Sequence, residues 1–263
     1  MNVIRSRDNE RLRRWRKLTT SARARRSERR ALLEGVHLVE ALLASGRRPE
    51  TLIVSESGLA RREIAALVET SGLQPVALAD ELFEMLADTE TPTGIAAEIA
   101  LPGAQPDLAA ARGCVVLEGV QDAGNVGAIL RSAAAFAAGD VVLGPGCADA
   151  WSPKVLRAGM GAHFSLNIES RSDLGAALDE FGGTIACTLV RAGIPLGKTD
   201  LRGRIGWIFG GEGQGVSMAL AARAALSVTI PMAGVAESLN VAAAAAICFY
   251  ERSRQLSTSA ARG

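Results

Sequence analysis

The residues of this chain that could do chemistry lie in three turns. Gly210-Gly211-Glu212-Gly213-Gln214-Gly215 follows one apolar, strand-like run, and Ile230-Pro231-Met232-Ala233-Gly234-Val235-Ala236-Glu237-Ser238-Leu239-Asn240 follows another and leads into a long alanine-rich helical stretch. Such turns are where α/β proteins bind ligands. Upstream, the buried-type run 113–118 ends in Gly119-Val120-Gln121-Asp122-Ala123-Gly124, and a helical pattern starting near Asn125 carries Arg131. Neither common phosphate-binding spacing is met. The dinucleotide fingerprint fails because Val216 or Met218 stands where its last glycine is needed, and Gly197-Lys198-Thr199 is no P-loop because Ala192 replaces its first glycine.

Several of these residues have a plain structural reading beside the chemical one. The glycines suit tight turns in any protein, and Ile230 and Leu239 suit ordinary core packing. Ser238 is well placed to cap the alanine-rich helix, whereas Asn240 would be an unusual first-turn residue and points more to a site. Arg131 stands among Ala, Ile, Leu and Phe, and if buried it needs an anionic partner, for which Glu118, Asp122 and Glu212 are the candidates.

Asn125, Gly127 and Arg131 spell N-x-G-x-x-x-R, and with the 210–215 turn and the 231–241 segment they resemble, in order, the three motifs of the SpoU (TrmH-like) RNA ribose 2'-O-methyltransferases of the SPOUT superfamily. The resemblance covers roughly residues 113 to 255. It departs at Ala123, where the family often has proline, and at Gly211, where serine, alanine or asparagine is more usual. It implies S-adenosylmethionine as cofactor, held by Gly210, Ile230 and Leu239, with Gly211, Met232 and Ser238 in the same pocket. It also implies Arg131, Asn125, Glu212 and Asn240 as catalytic residues, with Arg131 handling the 2'-hydroxyl proton. A sulfonium already activates the methyl group, so no metal or covalent intermediate is required. A guanidinium with a pKa above ~12 is no base at neutral pH, so either a phosphate relays the proton or Arg131 stabilises the developing alkoxide. The resemblance further implies a deep trefoil knot from about Gly182 onward and a homodimer formed through the knotted domain.

Composition is compatible with this. Hydrophobic residues make up 48% of 263, enough for a sizeable core, and aromatics only 4%, too few for broad base-stacking platforms. Cys114, Cys147, Cys187 and Cys248 are scattered without a C-x-x-C pair and the only histidines are His37 and His163, which argues against a zinc site or a disulfide framework. The longest apolar run, 241–250, falls short of the ~18 residues a membrane span needs, and the arginine-rich start is unlike a signal peptide, so a cytoplasmic location is expected.

Charge is polarised. Residues 1–30 hold 12 Lys+Arg against 3 Asp+Glu in a chain whose net charge is +1. Arg11, Arg13, Arg14, Arg16, Arg23, Arg25 and Arg26 are the candidate phosphate contacts; the alternative is a solvated helical face or a tail. Residues 31–44 have helical periodicity, 51–55 are strand-like, 62–70 helical, 74–79 strand-like, 80–87 helical with Asp80 as cap, and 95–100 a last strand. This alternation resembles the small α/β substrate-binding domain that precedes the catalytic domain in many SpoU members.

The expected organisation is therefore an RNA-binding α/β domain over 1–101, a linker over 102–112 rich in Pro and Gly, and a knotted parallel-sheet methyltransferase domain over 113–263. In the latter, strands are expected at 114–118, 140–143, 165–169, 184–190, 205–209 and 226–231, and helices at 125–137, 152–160, 173–181, 217–225 and 238–254. Ribosomal RNA is the favoured partner. Transfer RNA, a Rossmann-type enzyme using Asp122-x-Gly124-x-x-Gly127, and a non-catalytic RNA-binding protein remain as alternatives.

Overall fold

A computed structural model describes residues 3–103, 106–234 and 237–260. By internal contacts it divides into Met1–Gly103 with Trp151–Phe164, and Ala104–Ala150 with Ser165–Gly263. No helix of the described residues is long and apolar enough to cross a membrane.

The first unit is built on β1 (Val3–Ile4), β2 (Arg30–Glu34), β3 (Thr51–Ser55), β4 (Val76–Leu78) and β5 (Ile95–Ala100), in the order β1-β4-β3-β5-β2. The sheet is mixed: β1, β4 and β3 run parallel, while β5 is antiparallel to β3 and to β2. Its helices are α1 (Glu10–Thr20), α2 (Ala22–Glu28), α3 (Val36–Ala44), α4 (Glu56–Leu59), α5 (Arg62–Ser71) and α6 (Asp80–Leu86). The arginine-rich start is thus ordered helix. Asn9 caps α1 by accepting from the N–H groups of Arg11 and Leu12, and Leu12, Trp15 and Leu18 recur at helical spacing on the face that joins Leu32, Ile53, Leu82 and Phe83 in the core.

Two local expectations give way. Residues 31–44 are not one helix: Gly35 at φ 102° separates β2 from α3, and Ala31, Leu32 and Leu33 are buried in the ladder with β5. A short apolar run suits a buried strand as well as a helix, so periodicity could not separate them. Asp80 does not cap α6; its carboxylate accepts from the Ser57 N–H at 3.0 Å and hydroxyl at 2.7 Å, which holds it below the usual aspartate range.

The second unit carries β6 (Gly113–Glu118), α7 (Ala123–Ala135) and β7 (Asp140–Leu143). The segment that follows holds α8 (Pro153–Gly159), which groups with the first unit. The second unit continues with β8 (Ile168–Ser170), α9 (Leu174–Phe181), β9 (Thr184–Thr188), β10 (Ile194–Pro195), β11 (Ile205–Gly210), α10 (Met218–Ala221), β12 (Leu226–Thr229) and α11 (Val241–Ala260). Seven strands in the order β10-β12-β9-β11-β6-β7-β8 pair in parallel throughout.

Central β6 and β11 are apolar and buried along almost their whole length, as strands covered on both faces must be. Their register sets Gly210 opposite Glu118, so the 210–215 turn leaves the sheet beside the loop after β6. That pairing is what builds the site. The six expected strands are present, with β8 starting three residues later than expected. β10 was not foreseen because it is a two-residue exposed edge, and α10 is a single turn where nine residues are expected.

Candidate active site

Asp122 opens α7, its Oδ1 accepting from the Asn125 N–H at 2.8 Å, and this fixes Asn125 in the first helical turn. The Asn125 amide donates to Glu212 Oε1. Asn240 Nδ2 donates to Asn125 Oδ1 at 2.9 Å and to Glu212 Oε1 at 3.2 Å. One polar residue from each turn therefore meets in a single cluster, although they lie 87 and 115 positions apart in sequence. Asn240 also caps α11, its Oδ1 accepting from the N–H groups of Ala242 and Ala243. The expected cap at Ser238 is corrected: Ser238 lies three residues before α11 and lines the cleft.

The glycine turn is held by backbone. Gly211 N–H donates to Glu118 O at 2.8 Å, Gly215 N–H to Gly211 O at 2.8 Å, and Ser217 N–H to Glu118 Oε2 at 2.7 Å. A Cβ on Gly210 would stand 2.0 Å from the Gly215 carbonyl, and one on Gly211 would stand 2.3 Å from Gly119 O. At 211 this chain needs glycine for close backbone approach, which accounts for the departure noted there.

Between this turn and the segment before α11 lies a cleft of 360 Å³, walled by Gly210, Gly211, Glu212, Ser238, Leu239 and Asn240 among others. A smaller hollow of 80 Å³ beside it is lined by Ile230, Met232, Ser238 and Leu239. All six residues expected to hold a cofactor thus border one or both. Thr188, Leu189 and Val190, at the carboxyl end of β9, border them too and were missed. The available signal was position, since ligands in parallel sheets bind outside the carboxyl ends of strands. The half-exposed Leu189, Val190 and Leu239 suit the flat face of a nucleoside such as the adenosine of S-adenosylmethionine.

Arg131 differs from its sequence-level reading. It is exposed on α7 and makes no ion pair or side-chain hydrogen bond among the described residues. The buried face of α7 is Val126, Ile129, Leu130 and Ala133, so the apolar neighbours of Arg131 surround it in sequence and not in space. Its three imagined partners are occupied elsewhere: Glu118 by Ser217, Asp122 by Asn125, Glu212 by the asparagines. It borders neither the cleft nor the hollow.

Of the basic run in the first unit, Arg16, Arg23 and Arg26 are exposed and without an ion pair among the described residues. Arg11 lies over the Trp15 ring at 5.0 Å and Arg13 pairs with Asp8. Arg14 is tied to Glu28 at 2.6 Å and to Glu98 at 2.5 Å. Arg25 is corrected outright as a phosphate contact: it is 4% exposed and donates to the Leu18 and Thr19 carbonyls that end α1.

Comparison with known proteins agrees with this geometry. The model of the SpoU rRNA Methylase family matches residues 113–250, and that of the MRM3-like substrate binding domain matches residues 9–97. The chain is similar to the 23S rRNA (guanosine(2553)-2'-O)-methyltransferase RlmP of Bacillus subtilis, 37% identical over 95% of this chain and 98% of the relative. Among solved structures it is similar to the SpoU methyltransferase AviRb of Streptomyces viridochromogenes in complex with AdoMet, with a TM-score of 0.83, 26% identity and coverage of 95% and 100%. It is also similar to an AdoMet-bound rRNA methyltransferase of Sinorhizobium meliloti, with a TM-score of 0.80, 25% identity and coverage of 97% and 98%.

Proposed function

We propose a division of labour for a chain that belongs to the SpoU rRNA methylase family and is an S-adenosylmethionine-dependent ribose 2'-O-methyltransferase of ribosomal RNA. The observation that carries it is the Asn125, Glu212 and Asn240 cluster at the rim of the 360 Å³ cleft.

Gly210, Gly211, Ile230, Met232, Ser238 and Leu239 hold the cofactor through backbone groups and flanking apolar atoms. When bound, S-adenosylmethionine supplies a methyl group already activated by its sulfonium. The protein's task is placement of the acceptor hydroxyl and management of its proton. Glu212, accepting from both asparagines, locks their carboxamides at the rim of the cleft, where Asn125 and Asn240 orient the ribose. Arg131 acts as a cation, clamping the adjacent phosphate so that a phosphate oxygen takes the 2'-hydroxyl proton as the methyl group is transferred and the thioether departs, and stabilising the developing alkoxide, since a guanidinium is no base at neutral pH.

This reading needs a homodimer. Arg131 shares an exposed face of α7 with Gly124 and Ala135, and α11, packed on α7, exposes Ile247 (39%) and Tyr250 (55%). Pairing through these faces would cover the apolar residues and carry Arg131 of each protomer toward the site of the other. Light scattering that returned the mass of one 27.3 kDa chain at micromolar concentration would contradict it.

The chain from about Gly182 onward forms the family's trefoil knot in this reading, and its loops become the cofactor cleft. Residues 1–101 recognise RNA through Arg16, Arg23 and Arg26, with Arg11 and Arg13 beside them, residues 102–112 link, and residues 113–263 transfer the methyl group. The target is a guanosine of large-subunit RNA, as the name of the Bacillus relative states for that protein, and the enzyme acts in the cytoplasm where ribosomes are built. Mapping 2'-O-methyl positions in total RNA from cells with and without this gene tests the assignment. One ribosomal guanosine should lose its mark; an unchanged ribosomal map would refute it.

A further inference from the structure

The glycine turn faces a second cavity. Gly211, Glu212 and Gly215 border both the cofactor cleft and a larger space of 570 Å³, whose other wall is the loop after β6. Glu118, Asp122 and Glu212 line this space, and no Lys or Arg does among the described residues. Each carboxylate commits one oxygen to holding the site together: Glu118 Oε2 to Ser217 N–H, Asp122 Oδ1 to Asn125 N–H, and Glu212 Oε1 to the asparagine amides. The remaining oxygen of Glu118 and of Asp122 has no partner among the described residues.

Such a cavity repels phosphate and favours a neutral group rich in N–H donors. It also borders Asn125 and Glu212, where the acceptor ribose is placed, so the group one bond beyond that ribose, its base, lies within reach. Enzymes that work on single nucleotides commonly splay the base out and read its Watson–Crick edge. Guanine is the base whose edge presents two adjacent N–H donors, N1–H and the 2-amino group. Adenine and cytosine set an acceptor beside one donor, and uracil offers a single N–H between two carbonyls.

We propose that this cavity receives the base of the target nucleotide and that Glu118 and Asp122 select guanine through their uncommitted oxygens. The inference rests on the 2'-O-methyltransferase reading of the same site. Glu118 is held at the end of β6 by Ser217 and Asp122 by its cap, so both acceptors are preset before RNA arrives.

The test uses the full-length protein and ribosomal RNA fragments ligated to carry guanosine, inosine or adenosine at the mapped acceptor. Inosine lacks only the 2-amino donor. The wild-type protein should prefer guanosine over inosine by about ten- to hundred-fold in kcat/KM, the scale of one hydrogen bond to a charged acceptor. Glu118→Gln and Asp122→Asn keep a carbonyl oxygen for the Ser217 and Asn125 N–H groups, so both should fold and bind S-adenosylmethionine normally while the guanosine preference collapses. Equal wild-type rates on guanosine and inosine would overturn the inference and leave the enzyme reading standing. So would variants that slow both substrates by one factor, because that pattern marks a structural role. Absence of methylation on every fragment would instead overturn the enzyme reading and the inference with it.

Discussion

The two units use the same kinds of polar residue to opposite ends. In the first, Glu98 on β5 is 3% exposed and is surrounded by Arg14 at 2.5 Å, Arg30 at 3.1 Å and the Trp15 indole N–H at 2.8 Å. Each charged group of that cluster is consumed by another. In the second, Asn125, Glu212 and Asn240 satisfy one another at the surface yet leave atoms facing two cavities, and Arg131 has no ion-pair partner among the described residues. Burial is the difference. An ion buried without a partner is too costly to persist, whereas at a solvated rim a charge can wait for a ligand.

The largest effect that would sharpen this contrast is at Arg131. Arg131→Ala and Arg131→Lys should melt within about 0.5 kcal/mol of the parent, as expected for an unpaired surface residue. Single-turnover methylation of saturating RNA should nevertheless fall by at least ~100-fold in both, since lysine keeps the charge but not the planar fork. Near-normal turnover in folded Arg131→Ala would remove the residue from the mechanism.

Glu98 should behave in reverse. Glu98→Gln should leave cofactor affinity intact and cost roughly 2 kcal/mol in thermal or urea unfolding, a figure below that for fully buried pairs because Arg14 and Arg30 are about one-third exposed. Burial pushes the Glu98 carboxyl up, but hydrogen bonds from Arg14 and Trp15 and the charges of Arg14 and Arg30 outweigh it and hold the group below the usual glutamate value of 4.5. A carboxyl depressed on folding contributes its full stability above the unfolded pKa and loses it as pH falls through the folded one. The wild type should therefore lose stability below about pH 4.5 more steeply than Glu98→Gln. Parallel acid curves would show that Glu98 is not the group responsible.

A smaller effect is expected at the turn itself. Gly210→Ala places a methyl 2.0 Å from the Gly215 carbonyl, so the loop must shift, and calorimetric affinity for S-adenosylmethionine should drop by about tenfold or more. Undiminished affinity would mean that the turn does not form the cofactor wall. Smallest is the RNA term. Replacing Arg16, Arg23 and Arg26 together by Gln should lower the slope of log affinity against log salt by about 2, at roughly 0.7 to 0.9 for each phosphate no longer neutralised. The same change at Arg25 would instead destabilise the first unit, because its guanidinium holds the end of α1.

Much of the site was legible in the chain because the turns announce themselves chemically. Gly210 and Gly211 stand where backbone meets backbone, and the runs before the 119–124 and 210–215 turns are apolar enough to be central strands of a parallel sheet. What remained hidden depended on which atoms meet across long separations. Asn240 could not be seen as the cap of α11, because a side chain that caps with its oxygen and joins a cluster with its nitrogen is defined by partners on two elements. Thr188, Leu189 and Val190 carry no motif and enter the site only through the position of β9 in the sheet.

By itself, then, the sequence determined the alternation of strands and helices, the three turns and the kinds of group they carry, since periodicity and turn chemistry are local properties of the backbone. Tertiary structure alone decided which of the arginines are structural and which are free. Arg25 and Arg26 are neighbours in sequence, yet one ends inside the first unit and the other on its surface, because a helix turns about 100° between adjacent residues. It also decided that Glu212, 87 positions from Asn125, would stand within hydrogen-bond reach of it, a consequence of β11 lying beside β6 with Gly210 opposite Glu118.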